Sequence, residues 1–159
     1  MKLKEIYYNN IERDVNPAVS ITNESDSTIN TEIDEYVFTD VIINNLYDLL
    51  TTIKDTKKQN DFGEWINKHA HVGIWVDGYY GSGKSHFLKY LSYCINPKYS
   101  DKALNRIIEA VEAIDPLDDT HDITPTTNQI KDLARWTKDA IVRTCNINLL
   151  TYKDDNDKG

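Results

Sequence analysis

Cysteine is scarce in this chain, and no apolar run in it is long. The two cysteines, Cys94 and Cys145, have neither the paired spacing of a zinc site nor the density of a disulfide scaffold. Nothing approaches the roughly 18 uninterrupted apolar residues that mark a membrane span. The opening Met1-Lys2-Leu3-Lys4-Glu5 leads into no apolar core of signal-peptide length. A cytoplasmic protein with no membrane contact is the expectation. Positive charge is in deficit: 18 lysines and arginines face 26 acids, for a net charge of -8. The basic residues are dispersed among acids, not gathered into a stripe, which argues against a direct nucleic-acid grip by this segment. Four histidines at 69, 71, 86 and 121 are scattered, and the His69 and His71 pair is not read as a metal site. No internal repeat is apparent. What remains is 159 residues, 40% hydrophobic with ten tyrosines, enough for one core that buries about two-thirds of the unfolded surface.

Glycine is scarce as well, with six in the chain, yet three of the six fall within Gly78-Tyr79-Tyr80-Gly81-Ser82-Gly83-Lys84-Ser85. The stretch fits the P-loop pattern G-x-x-x-x-G-K-[ST] at every fixed position. A triphosphate is a compact polyanion that needs many donors close together. Glycines at 78, 81 and 83 let the backbone take positive φ and approach phosphate without a Cβ in the way. The amides from Gly81 to Ser85 then turn inward as an anion nest at a helix N-terminus. Lys84 places its ammonium on the β- and γ-phosphates, and the Ser85 hydroxyl ligates Mg²⁺, a hard ion suited to oxygen. The expected ATP-binding stretch is therefore Gly78, Tyr79, Tyr80, Gly81, Ser82, Gly83, Lys84, Ser85 and His86. Packing suits the two tyrosines better than base stacking, and His86 reads as a helix-face residue.

Context around the loop sets the expected fold. Residues 72–77, Val-Gly-Ile-Trp-Val-Asp, are apolar and β-branched and predict a buried strand. Phe87, Leu88, Leu91, Cys94 and Ile95 recur at helical spacing until Pro97. Upstream, residues 4–13 suit a short helix and 18–21 a short strand; 22–31 reads as an exposed loop, and 32–38 as strand or extended chain. Thr39 caps a helix with Ile42, Leu46, Leu49, Leu50 and Ile53 on one face, ending near Lys57. Phe62, Trp65 and Ile66 suggest a turn or two of helix. Downstream, Ser100 caps a helix carrying Leu104, Ile107, Ile108, Val111 and Ile114. Thr124 and Pro125 begin another with Ile130, Leu133, Ala134, Thr137 and Ile141 inside. Alternation at Cys145, Ile147 and Leu149 predicts a strand near 144–152.

The expectation is an α/β, P-loop NTPase-like but incomplete fold, a few-stranded sheet flanked by helices and preceded by a mixed N-terminal segment. Its divisions are an N-terminal segment at 1–60 packing on the core, a partial P-loop NTPase domain at 61–152 and a frayed tail at 153–159. No strand ends in the acidic pair of a Walker B motif. The run before Asp115 is interrupted by Glu109 and Glu112 at helical spacing and reads as a helix.

Three stretches resemble one family, the P-loop ATPases of BREX phage-defence systems (BrxC or PglY). They are Ile11-Glu12-Arg13-Asp14-Val15-Asn16-Pro17, Glu32-Ile33-Asp34-Glu35-Tyr36-Val37-Phe38-Thr39, and the run from Gly73 through the loop to Ser85-His86-Phe87-Leu88. The resemblance covers residues 4 to about 95 and implies the N-terminal portion of a much larger AAA-like protein. It further implies ATP and Mg²⁺ as cofactors, with Lys84 on phosphate and Ser85 on Mg²⁺, other defence-system proteins as partners, and an oligomer as an open possibility. The family implies ATP hydrolysis; without a Walker B motif, turnover by this chain stays open. Two alternatives are a small nucleotide or metabolite kinase and a non-hydrolysing interaction module.

Overall fold

The computed structural model describes residues 25–59, 62–63, 65–67, 73–114 and 118–139. Within them run α1 (Asp26–Glu35), α2 (Asp40–Asp55), β1 (Lys57–Gln59), β2 (Trp65–Asn67), α3 (Lys84–Ile95), α4 (Ser100–Glu112) and α5 (Thr127–Asp139). α4 packs on α5 and on α3, α2 on α3 and α5, and α1 on α4. One core runs through all five helices, with Ile33, Leu46, Leu50, Cys94, Ala103, Leu104 and Ile130 at its centre. α4 shows the sequence logic plainly: Ala103, Leu104, Ile107 and Ile108 repeat every three to four residues and all are buried.

Among the described residues the expected α/β fold does not form. Five helices and one antiparallel ribbon, Lys57–Gln59 paired with Trp65–Asn67, make up the regular structure of the described residues, so no sheet lies between the helices. The strand expected at 72–77 is the key correction. Residues 73–77 are irregular, with Trp75 89% exposed and Ile74 44% exposed. Apolar β-branched residues become a buried strand only when neighbouring strands take up their backbone groups. Here the core is filled by helix faces instead. Trp65 and Ile66, expected on a helical turn, lie in β2.

The stretch expected as loop and extended chain is α1. Ser25 caps it, its Oγ accepting from the Thr28 amide at 3.2 Å, and Asp26 stands in the first turn. Only Ile33 of α1 is buried, so apolar burial alone does not hold it. Polar contacts to α4, to the turn before it and to α3 add the rest. Lys102 Nζ donates to Asp34 Oδ2 at 2.8 Å and to the Asn30 carbonyl at 3.1 Å. Arg106 donates to the Asp34 carbonyl at 3.1 Å, and Asp26 is bonded by Lys98 and Tyr99. α2 follows the expectation, with Thr39 Oγ1 accepting from the Ile42 amide at 3.3 Å. α3 ends at Ile95 before Pro97 as expected. The start of α5 falls two residues beyond the expected Pro125, at a Thr126–Gln129 capping box in which each side chain accepts from the other's amide (3.3 and 2.8 Å). Among the described residues no helix is long and apolar enough to cross a membrane. The expected elements at 4–13, 18–21 and 144–152, with Asp115, His69, His71 and Cys145, lie outside the described residues.

Candidate functional site

All three glycines of the loop take positive φ. Gly78, Gly81 and Gly83 take φ of 149°, 80° and 82°, values that L side chains adopt only at a cost. Gly83 is the N-cap of α3: its carbonyl accepts from the Phe87 amide at 2.9 Å, and no side chain caps the helix. The first turn of α3 therefore keeps its amide donors free of any capping side chain, at the positive end of the helix dipole. Ser82 donates its amide to the Tyr79 carbonyl at 3.2 Å, which closes the turn ahead of the helix.

Lys84 folds back across this turn. Its Nζ donates to the carbonyls of Gly78 at 2.8 Å and Tyr79 at 2.6 Å, with Ser82 Oγ at 3.4 Å. A Cβ on Gly78 would lie 3.2 Å from Ser82 Oγ and 3.7 Å from Lys84 Cδ, so the glycine also leaves space for the lysine stem. One ammonium thus sits at the mouth of a ring of backbone dipoles.

Beside the loop lies a cleft of about 610 Å³, within the usual range of small-molecule sites. The end of α1, the α1–α2 corner and the first turns of α2 form one wall, and α3 the other. Of the expected site residues, Ser82, Gly83, Lys84 and His86 line it. Tyr79 and Tyr80 do not; they stand in solvent, 93% and 106% exposed. Ser85 is exposed and lies outside the cleft lining.

Sequence reasoning missed the opposite wall. Val37, Val41 and Asn45 face the loop across the cleft, and Glu32, Lys89 and Tyr93 form a polar group in the same lining. Glu32 accepts from Lys89 Nζ at 2.7 Å and from Tyr93 O–H at 2.6 Å, tying α1 to the loop helix. One sign was present: Val41 is apolar yet lies off the buried stripe of Ile43, Leu46 and Leu50.

Below the cleft the packing is aromatic. Tyr36 and Tyr90 rings lie 4.1 Å apart, and Phe38 meets Tyr90 edge-on at 5.3 Å. Burial pushes the Tyr36 hydroxyl up to about 12, with Cys94 adding to it, and raises Tyr90 further. Cys94 is fully buried and desolvation raises its thiol well above the ordinary value, so it is an inert core residue as expected. Among the described residues no three His, Cys, Asp or Glu side chains gather as a metal site. No family model matches this chain, and no solved structure matches it.

Proposed function

We propose that this chain binds Mg²⁺-ATP through residues 78–85 and serves as the ATP-binding part of a BREX-type defence ATPase. The observation that carries the nucleotide reading is the junction at Gly83: a left-handed glycine opens an uncapped helix whose first side chain is the lysine bent over the loop. Anions favour such a helix start, and the amides and ammonium fit the donor demand of a polyphosphate. The reading rests on the loop and the helix start alone, since residues 73–77 before the loop form no strand. Mg²⁺ takes few protein ligands beside phosphate oxygens and water, which suits a site whose proposed metal ligand is the single Ser85 hydroxyl. The defence role rests on the resemblance of the three quoted stretches.

A second reading, an interaction module, draws on one observation. Ile74, Trp75, Tyr79 and Tyr80 are all exposed along one short run, an unusual concentration of large apolar groups at a surface. Such a run suits a partner protein, and the two readings are compatible.

Titration calorimetry with Mg²⁺-ATP on the wild type and Lys84→Ala tests the proposal. Binding by the wild type and its loss in the variant, with unchanged circular dichroism, is the expected result. Equal affinity in the two proteins would remove the assignment.

A further inference from the structure

We infer that the cleft beside the loop holds the nucleoside end of the ligand, with a purine ring laid against the first turns of α2 and its polar edge at Asn45. The inference rests on the nucleotide reading of the loop.

Two features of the cleft point there. Val37 and Val41 are 76% and 67% exposed on its lining, although the core lies on the other side of α2. Val41 and Asn45 are one helical turn apart, so they form a short strip with an apolar half and an amide half. A purine matches that strip, since its faces are apolar and its edge carries adjacent donors and acceptors. An Asn side chain supplies both a donor and an acceptor to such an edge. Phe87, half-buried on α3, provides an aromatic face across the cleft.

Charge fixes the direction of the ligand. The Lys84 ammonium and the start of α3 at Gly83, which no side chain caps, stand on the loop side of the cleft and attract phosphate. The polyphosphate is therefore driven to the Gly83–Lys84 end, and the uncharged nucleoside is left for the α2 wall.

Calorimetry with Mg²⁺-ATP and with Mg²⁺-tripolyphosphate, on the wild type, Val41→Ser, Asn45→Ala and Lys84→Ala, tests this. Val41 and Asn45 are exposed, so both substitutions leave the fold intact, which melting curves verify. The wild type should bind ATP at least about tenfold tighter than tripolyphosphate. Val41→Ser and Asn45→Ala should shrink that preference while leaving tripolyphosphate binding unchanged, whereas Lys84→Ala should weaken both ligands. Equal binding of ATP and tripolyphosphate by the wild type overturns the inference and leaves the loop assignment standing. So does an ATP preference that neither α2 variant reduces. Failure of the wild type to bind either ligand overturns the loop assignment and this inference together.

Discussion

Gly78 and Lys84 close the loop on itself, the lysine ammonium donating to the glycine carbonyl at 2.8 Å. The contact depends on backbone that only glycine holds without strain, and the glycines differ in why. At Gly78 a side chain would press on Ser82 and Lys84, whereas at Gly83, φ +82°, nothing lies within 4 Å of an added Cβ. The cost at Gly83 is therefore in the backbone alone. Gly83→Val should destabilise the fold by ~1–2 kcal/mol in urea unfolding and weaken Mg²⁺-ATP binding as the helix start shifts. An unchanged unfolding midpoint with full binding would show that the left-handed cap is dispensable.

Leu46 and Leu50 are 0% and 1% exposed, while Leu49 on the same helix is only partly buried. Leu46→Ala should cost ~2–5 kcal/mol, because its neighbours on α2 and the facing helices cannot collapse into the space. Leu49→Ala should cost less. Val41→Ala, which touches no core, should stay within about 0.5 kcal/mol of the wild type. Urea unfolding of the three variants checks the ranking; a Leu49 effect equal to that of Leu46 would mean that the packing of α2 is rotated from that described.

The chain from Asp118 to Thr126 is strapped to the start of α2. Asp40 lies 2.8 Å from the His121 ring and accepts from the Asp122 amide at 2.9 Å, and Asn44 bonds Asp122 and Thr124. The hydrogen bond that the ring donates to Asp40 raises His121 above its ordinary 6.5, and the same contact lowers Asp40 below 3.8. For the histidine, the contribution to stability is complete below 6.5 and lost as pH rises through its elevated folded value. For the aspartate, it is present above 3.8 and lost as pH falls through its depressed folded value. The strap is thus firmest between the two ordinary values. NMR titration should place the His121 midpoint above 6.5, and Asp40→Asn should bring it down. A wild-type midpoint at or below 6.5 would rule out the pair.

How much of this was legible in the sequence follows from where each signal resides. α2, α3, α4 and the interior of α5 were legible because their apolar residues recur at helical spacing and Thr39 and Pro97 mark two of their ends. Ser100, expected as the cap of α4, is instead its first residue, after Tyr99, and no side chain caps that helix. The loop was legible because its glycines do a backbone job that no other residue does. α1 was not, since Ile33 is its one buried residue and its other ties are to Lys89, Tyr93, Lys98, Tyr99, Lys102 and Arg106, 57 to 73 positions away. The strand at 72–77 misled for the opposite reason: Ile74, Trp75 and Val76 have the right chemistry, but a strand is a pairing, and pairing is not a local property. The α2 wall was missed because the one sign of it, an apolar Val41 off the core stripe, gains a meaning only once the α1–α2 corner is seen beside the loop.

Turnover is the sharpest remaining test of the nucleotide reading. Phosphoryl transfer to water needs three things: a phosphate cradle, an acid or amide that orients the attacking water, and positive charge to meet what spreads over the γ-oxygens. On the proposed reading Gly83 and Lys84 supply the cradle and one cation. The lysine is already hydrogen-bonded to the carbonyls of Gly78 and Tyr79, so it serves binding first. Asp77 lines the cleft on the exposed run before the loop, where no sheet holds it rigid. Asp118 is engaged with the Thr120 hydroxyl at 2.6 Å, which lowers its carboxyl, and Arg106 is bonded to Glu109 and Asp34. None of these is set to orient a water at the γ-phosphate. The chain should therefore bind Mg²⁺-ATP and release phosphate far more slowly than about 1 s⁻¹, the low end of ordinary enzyme rates. Phosphate release by purified chain, beside Lys84→Ala and Asp77→Asn controls, measures this. Release at an ordinary rate that Lys84→Ala abolishes would place a working acid within reach of the loop. Its loss in Asp77→Asn as well would identify that acid as Asp77.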